Sequence, residues 1–149
     1  MGAVTRVDAV VARLIKIFGT ATGLQVEDGP SIGEVMFEAI VVGMPSGSSD
    51  PGYTTKATRL PGLGPARYRE DSTVRSMLTV TSGNTVAAEV RNACAGYLRT
   101  IDAALRSDQV VEDVWQRVEL DGDMDWVVIQ HEDGVTCTVF FSVSAESLL

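Results

Sequence analysis

Histidine and cysteine are scarce in this chain, and their scarcity limits the chemistry available to it. The 149 residues include one His and two Cys. Nucleophilic catalysis needs a base beside a thiol or hydroxyl, and His131 is the one imidazole available. A two-residue hairpin turn at Asp133-Gly134 would place His131 and Cys137 on opposite faces of a sheet, which disfavours a catalytic dyad. We interpret Cys137 and Cys94 as structural and reduced.

Long uncharged runs are also missing. The longest, Ser76 to Ala88, covers 13 positions, whereas a membrane-spanning helix needs roughly 18 apolar residues. The sequence therefore predicts no membrane association.

Motifs for cofactors and metals are missing as well. The chain has no His/Cys cluster for zinc, no Walker-type lysine and no Gly-rich turn between a strand and a helix. Asp121, Asp123 and Asp125 alternate as in a calcium loop, but Trp126 occupies the sixth position, where such a loop needs Gly. We expect no cofactor and no metal, and no residue is nominated as catalytic.

Cations are rare in the last third of the chain. Residues 1–100 hold ten Lys/Arg and nine Asp/Glu, a net charge of +1, while residues 101–149 hold two and eleven, a net charge of −9. The total of −8 argues against nucleic-acid binding as the main task. The acidic third is interpreted either as a solvated face or as a surface with a function.

Hydrophobic periodicity indicates an α+β fold in one domain, 1–149. We predict a mixed, mainly antiparallel sheet of about five strands with two main helices packed on it. The turn-rich stretch 25–33 is expected to be irregular. Within the last strand, Cys137, Val139, Phe141 and Val143 are predicted to face the core. The predicted helices are 4–19 and 86–106, and the predicted strands are 34–42, 73–82, 114–120, 125–131 and 135–144, the last three as an antiparallel meander.

The stretch from Met44 to Asp71 is unusual in its composition. Its 28 residues hold four of the five prolines and four glycines, so we predict an extended loop or arm that is neither a helix nor a central strand. The stretch is locally basic, which suits an arm that grips an acidic partner. A mobile, solvated loop is the alternative. The candidate contact residues are Tyr53, Lys56, Arg59, Arg67, Tyr68 and Arg69.

Several scattered features of this layout resemble the tail terminator proteins of phages with long, non-contractile tails, especially those of actinobacterial hosts. The resemblance runs through most of the chain. The residues that carry it are Arg69-Glu70, Ser82-Gly83 at a strand end, Arg91, Ile101 with Leu105-Arg106-Ser107-Asp108, Val114, and Gly134 followed by Val139-Phe140-Phe141-Ser142-Val143.

The resemblance implies a structural virion protein without enzymatic activity. Such a protein forms a ring, commonly a hexamer, at the head-proximal end of the tail tube, stops tube polymerisation and joins the tail to the neck. Its partners would be further copies of itself, the major tail tube protein and a neck or connector protein, while genomic DNA passes through the lumen without specific binding. It would lie in the virion tail, and in the host cytoplasm during assembly.

This function assigns roles to both sets of candidate residues. The six residues of the 44–71 stretch become candidates for the subunit or tube interface. Asp121, Asp123 and Asp125 become candidates for facing the lumen or a partner. Two alternatives stay open: a head-side neck or connector completion protein, and a small acidic ligand-binding or metal-dependent enzyme domain.

Overall fold

A computed structural model describes residues 4–29, 38–45, 51–84 and 86–149. These residues form an α+β fold in which two helices accompany a mixed, mainly antiparallel sheet of seven strands. No helix in these ranges is both long and apolar enough to cross a membrane. The elements are α1 (Val7–Thr22), β1 (Gln25–Asp28), β2 (Glu38–Val42), β3 (Tyr53–Arg59), β4 (Tyr68–Ser82), α2 (Ala87–Ser107), β5 (Arg117–Leu120), β6 (Asp125–His131) and β7 (Gly134–Leu148).

Two long strands form the centre of the sheet. β4 and β7 each have 15 residues and pair antiparallel along almost their whole length. The outer edge of β4 carries β3 opposite residues 68–74 and β2 opposite residues 76–80, and β1 adds to β2 in parallel. The outer edge of β7 carries β6 opposite residues 134–140 and β5 opposite residues 143–146. As a result, β3 and β6 lie at diagonally opposite corners of the sheet.

Buried and less buried side chains alternate along β7, and this alternation places the core on one side of the sheet. Its odd-numbered residues from Val135 to Ala145 are buried, which confirms the four core positions predicted for this strand. They pack with the apolar stripes of α1 and α2 in one cluster, and Phe18 of α1 meets Phe141 edge-on with ring centroids 5.9 Å apart. We call this side of the sheet the helix face and the opposite side the second face.

The predicted meander in the last third is wrong. β5 and β6 both pair with β7 and follow one another along its edge. Alternation specifies the face on which a side chain lies, but it does not specify which strand is the neighbour. The sheet also exceeds the predicted five strands, because β1 forms within the 25–33 stretch that was expected to be irregular and β3 forms within the predicted arm.

The predicted arm is largely a β-hairpin in the part that the structure describes. β3 pairs with the first half of β4, which begins at Tyr68, earlier than the Thr73 predicted from the sequence. Threonines and an aromatic favour a strand in β3, while Pro61 and Pro65 fall in the connecting loop, where they interrupt no ladder. The prediction that no central strand lies in 44–71 is wrong at the end of this stretch, because residues 68–71 belong to β4, which pairs with β3 on one side and with β7 on the other. Positions 46–50 of the predicted arm lie outside the described residues.

Two glycines lie where the edge of β4 changes its pairing partner from β2 to β3. The N–H of Gly43 and the N–H of Met44 both donate to the carbonyl of Arg75, at 2.7 and 2.9 Å, and the carbonyl of Gly52 accepts from the Arg75 N–H at 2.8 Å. Gly43 has φ +83°, and a Cβ at Gly52 would collide with the Gly43 carbonyl. The close backbone approach attaches both ends of this connection to one point of β4.

Candidate functional site

β6 is an edge strand whose seven residues are all exposed. Four consecutive large apolar side chains in it keep 42, 41, 41 and 51% of their area exposed, namely Trp126, Val127, Val128 and Ile129. Single exposed apolar residues are normal on a protein surface. A continuous run of them on a strand that pairs with one neighbour among the described strands is a surface on which another strand can add.

The exposed apolar residues of β6 lie on both faces of the sheet. Trp126 and Val128 stand opposite Val139 and Cys137 on the helix face, whereas Val127 and Ile129 share the second face with Thr138 and Thr136. Burying them all requires a partner that covers the strand from its free edge. The sequence placed apolar residues on both faces here, but it did not show that the strand is an exposed edge.

β3 is the second fully exposed edge strand, and its chemistry is unlike that of β6. Its seven residues include Lys56 and Arg59 and no acid. The strand also contains three threonines and Ala57, which are small or β-branched. Among the described strands, none pairs with the outer edge of either β3 or β6.

The structure brings the six candidate interface residues together on one hairpin. Tyr53, Lys56 and Arg59 lie on β3, Tyr68 and Arg69 open β4, and Arg67 closes the loop between the strands. The Leu60 N–H donates to the Arg67 carbonyl at 2.8 Å. The basic residues therefore form part of an ordered corner of the sheet.

One of the six, Arg69, is engaged within its own chain. Its guanidinium lies 3.5 Å from a carboxylate oxygen of Asp71 and 3.5 Å from one of Glu146. Glu146 also lies 3.8 Å from Arg117, and Lys56 stands opposite Asp71 in register. The adjacent carboxylates of Asp71 and Glu146 thus lie between Lys56 and Arg117 in a row that crosses four strands on the second face, and Arg69 contacts both carboxylates.

Tyr53 anchors β3 to the body of the fold. Its ring lies where a Cβ at Gly43 would be, and burial together with the nearby Asp28 carboxylate raises the pKa of its hydroxyl. We conclude that Tyr53 positions the edge strand and that the cations after it remain open to solvent.

The three candidate acids line a cleft of about 470 Å³, whose lining also includes Thr73 of β4. Asp121 is tied down, since the Ser144 hydroxyl donates to its Oδ1 at 2.7 Å and its own N–H donates to the Ser142 carbonyl at 2.9 Å. Asp123 and Asp125 are exposed, and Arg75 is also part of the lining. In the ranges that the structure describes, no group of three or more His, Cys, Asp or Glu is arranged to hold a metal ion.

Both cysteines are buried and free. The Cys94 thiol donates to the Cys137 carbonyl at 3.7 Å, and burial, followed by the neighbouring Cys137 thiol, raises the Cys94 pKa. The two-residue turn of this hairpin is Glu132-Asp133, because His131 pairs with Gly134, so the turn predicted at Asp133-Gly134 is wrong by one residue. Cys137 pairs with Val128, and it still lies on the face opposite to His131, as predicted. A thiol kept protonated in the core is a poor nucleophile.

The sequence did not single out two exposed apolar side chains. They are Trp126, which in the sequence only breaks the calcium-loop pattern, and Leu63, which is fully exposed at the tip of the β3–β4 hairpin. For Trp126, the sequence signal is an uncharged, mostly apolar run between Asp125 and Glu132. Nothing local distinguishes Leu63 from an ordinary loop residue.

Models of known protein families give no match to this chain, and neither do curated protein sequences. The two unlike edge strands are the features on which a functional proposal rests.

Proposed function

We propose that this protein is a structural virion protein that forms a hexameric ring at the head-proximal end of the tail tube of a phage with a long, non-contractile tail. In this role it stops tube polymerisation, joins the tail to the neck and has no enzymatic activity. The observation that carries the proposal is the pair of exposed, chemically unlike edge strands at opposite corners of one sheet.

Unlike edges favour rings over simple dimers. A self-complementary patch produces a two-fold dimer, whereas contact between two different patches repeats from copy to copy and closes into a ring when the rotation permits. β6 offers apolar side chains beside acids, and β3 offers cations beside threonines. The β6 edge of one copy therefore complements the β3 edge of another copy better than either edge complements a second copy of itself.

The charge of the chain suits a conduit for DNA. Each copy carries a net charge of −8, so six copies carry −48, and a negative wall does not retain a polyanion that passes through it. DNA would move through the lumen without specific binding. Asp121, Asp123 and Asp125 are the residues proposed to face the lumen or a partner.

The proposed partners are further copies of this chain, the major tail tube protein and a neck or connector protein. The hairpin tip with the exposed Leu63 projects beyond the paired part of β3 and β4, and it supports a contact with the tube. The protein would be found at the neck-proximal end of the virion tail, and in the host cytoplasm before assembly.

Mass measurement, negative-stain imaging and a tube-length assay test this proposal together. We expect a ring of six copies, and we expect a small amount of the protein to shorten the tubes that purified tail tube protein forms. A chain that stays monomeric at every concentration and leaves tube length unchanged would refute the proposal. Mutation of Leu63 to Ser should weaken tube capping while leaving ring mass unchanged.

Two other functions are distinguished by further measurements. A neck or connector protein would also form a ring, but it would bind the head-side connector and fail to cap tube ends. The acidic cleft supports a small ligand-binding or metal-dependent domain as the alternative of another class. That alternative requires a metal-induced rise in melting temperature that is lost in Asp123→Asn.

A further inference from the structure

We propose that neighbouring copies join by pairing β6 of one copy with β3 of the next as antiparallel strands, so that one sheet continues around the ring. This inference rests on the proposed ring-forming function and names the surfaces that build the ring. The occupant of the exposed β6 edge is thus a second copy of this chain.

Strand direction within one copy gives the direction of the joint. β3 runs antiparallel to β4, β4 antiparallel to β7, and β7 antiparallel to β6. β3 and β6 of a single copy therefore run in opposite directions. A rotation about the ring axis leaves the direction of each strand along that axis unchanged. β3 of the next copy therefore meets β6 antiparallel, and the helices of both copies stay on the same side of the sheet.

The two strands match in length and differ in charge. Each has seven residues, and all are exposed. In an antiparallel joint, Lys56 and Arg59 of β3 would lie near Asp125 at the start of β6. Glu132 and Asp133 follow the other end of β6. Pairing β6 with β6 of another copy would instead bring these acids together, which disfavours the symmetric dimer.

The pleat of the two strands restricts their register. Residues that face each other across an antiparallel pair share one face of the sheet. Odd-numbered residues of β3 and even-numbered residues of β6 lie on the helix face. Full end-to-end alignment is not allowed, because it would place Tyr53, which lies on the helix face, opposite His131, which lies on the second face. The two nearest allowed registers pair Thr55 with Val128, or Thr58 with Val127.

Because β3 and β6 occupy opposite corners, joined strands run obliquely to the ring axis, as strands do in closed barrels. When β3 of the next copy pairs with the outer edge of β6, it covers part of the apolar run of β6 on both faces of the sheet. The threonine methyl groups and the aliphatic stem of Lys56 provide the covering surface.

Engineered cysteine pairs in the full chain test the joint. We would make Thr55→Cys with Val128→Cys, Thr58→Cys with Val127→Cys, and a mismatched control, Thr55→Cys with Val127→Cys. Directly opposite residues in an antiparallel pair have Cα atoms about 4.5–5.5 Å apart, within the range of about 4.4–6.8 Å that a disulfide requires. The native Cys94 and Cys137 are buried. Each variant is oxidised by dissolved oxygen and analysed on a non-reducing gel.

We expect one of the two matched pairs to give a ladder of covalent multimers that ends at the ring, and the control to give at least tenfold less. Equal cross-linking of all three variants, or of none while the wild type forms rings, would overturn the joint and leave the ring function standing. A monomeric wild type would overturn both. Val128→Cys alone tests the symmetric alternative, because a covalent dimer from this single variant would also overturn the proposed pairing.

Discussion

The backbone N–H of Arg6 donates a hydrogen bond to Oε1 of Glu70 at 2.8 Å, joining positions 64 residues apart in the chain. Arg6 immediately precedes α1, whose first turn receives no side-chain cap from its own N-cap residue. Glu70 lies on β4 and is only 2% exposed. A carboxylate at a helix N-terminus is favourable because it meets unpaired N–H groups and the positive end of the helix dipole. Glu70 thereby attaches the start of α1 to the sheet.

Replacing Glu70 with Ala should lower the free energy of unfolding by about 1–3 kcal/mol, because a partly buried N–H loses its acceptor. Glu70→Gln keeps an oxygen at the same distance and should lose less. Urea denaturation measures both. Glu119→Ala removes an acid from an exposed ion pair with Arg117, and as a control it should change stability by less than about 0.5 kcal/mol. Equal stability of the two Glu70 variants would contradict this role.

Gly134, the first residue of β7, should not tolerate a side chain. It has φ +149°, and a Cβ there would strike the carbonyl oxygen of Ser82. We expect Gly134→Ala to cost more than about 1 kcal/mol of stability, measured by thermal or urea unfolding. Gly122→Ala is the matched control, because nothing lies within 4 Å of its Cβ position. Similar losses in both variants would refute the explanation.

The two thiols should resist modification in the folded protein. Cys94 and Cys137 are buried, and burial raises the Cys94 pKa, which suppresses the reactive thiolate. A disulfide-exchange reagent at mildly alkaline pH should detect almost no thiol in the native chain and two after unfolding in urea. Rapid reaction of one native thiol would show that a cysteine is accessible and would reopen a chemical role for it.

Stability should decline at alkaline pH because of Tyr53 and Tyr97. The pKa values of both are raised above 10.0, first by burial and then by the carboxylates of Asp28 and Glu38 respectively. Above pH 10 the folded chain then binds more protons than the unfolded chain, so the free energy of unfolding falls as pH rises, while below pH 10 this contribution is constant.

Urea unfolding across this pH range should show a smaller decline in the Tyr53→Phe/Tyr97→Phe double variant than in the wild type. Tyr68→Phe removes a hydroxyl from an exposed ring. It serves as the control for the loss of a tyrosine hydroxyl as such. A double variant whose decline equals that of the wild type would contradict the assignment.

Tryptophan fluorescence should report ring formation through Trp126. Trp115 is fully buried, and its indole N–H donates to the Asp108 carbonyl at 2.7 Å, so its surroundings should not change on assembly. Trp126 is exposed on β6 and should move to a drier environment. We expect wild-type emission to shift to shorter wavelength as concentration rises, and Trp126→Phe to show no shift. If mass measurement shows assembly but the wild-type emission stays constant, β6 is not at the joint.

Local sequence patterns account for much of the fold. The three- and four-residue spacing from Val90 to Leu105 predicted α2, and the alternation from Cys137 to Val143 predicted the buried face of β7. The turn predicted at Asp133-Gly134 lies at Glu132-Asp133 instead, but the prediction that His131 and Cys137 lie on opposite faces is confirmed. The candidate interface residues were found by composition, and the structure gathers them on one hairpin.

By itself, the sequence determined the α+β class, the two helices, the buried face of the last strand and the uneven distribution of charge, because each depends on neighbours within a few residues. Only the tertiary structure decided that β3 joins β4, that β5 and β6 share one edge of β7, and that Glu70 is buried beneath α1. Strand partners are chosen by contacts between distant segments, and a period of two residues specifies a face but not a neighbour. For the same physical reason, only the assembled sheet shows that β3 and β6, the strands proposed to build the ring, lie at its edges.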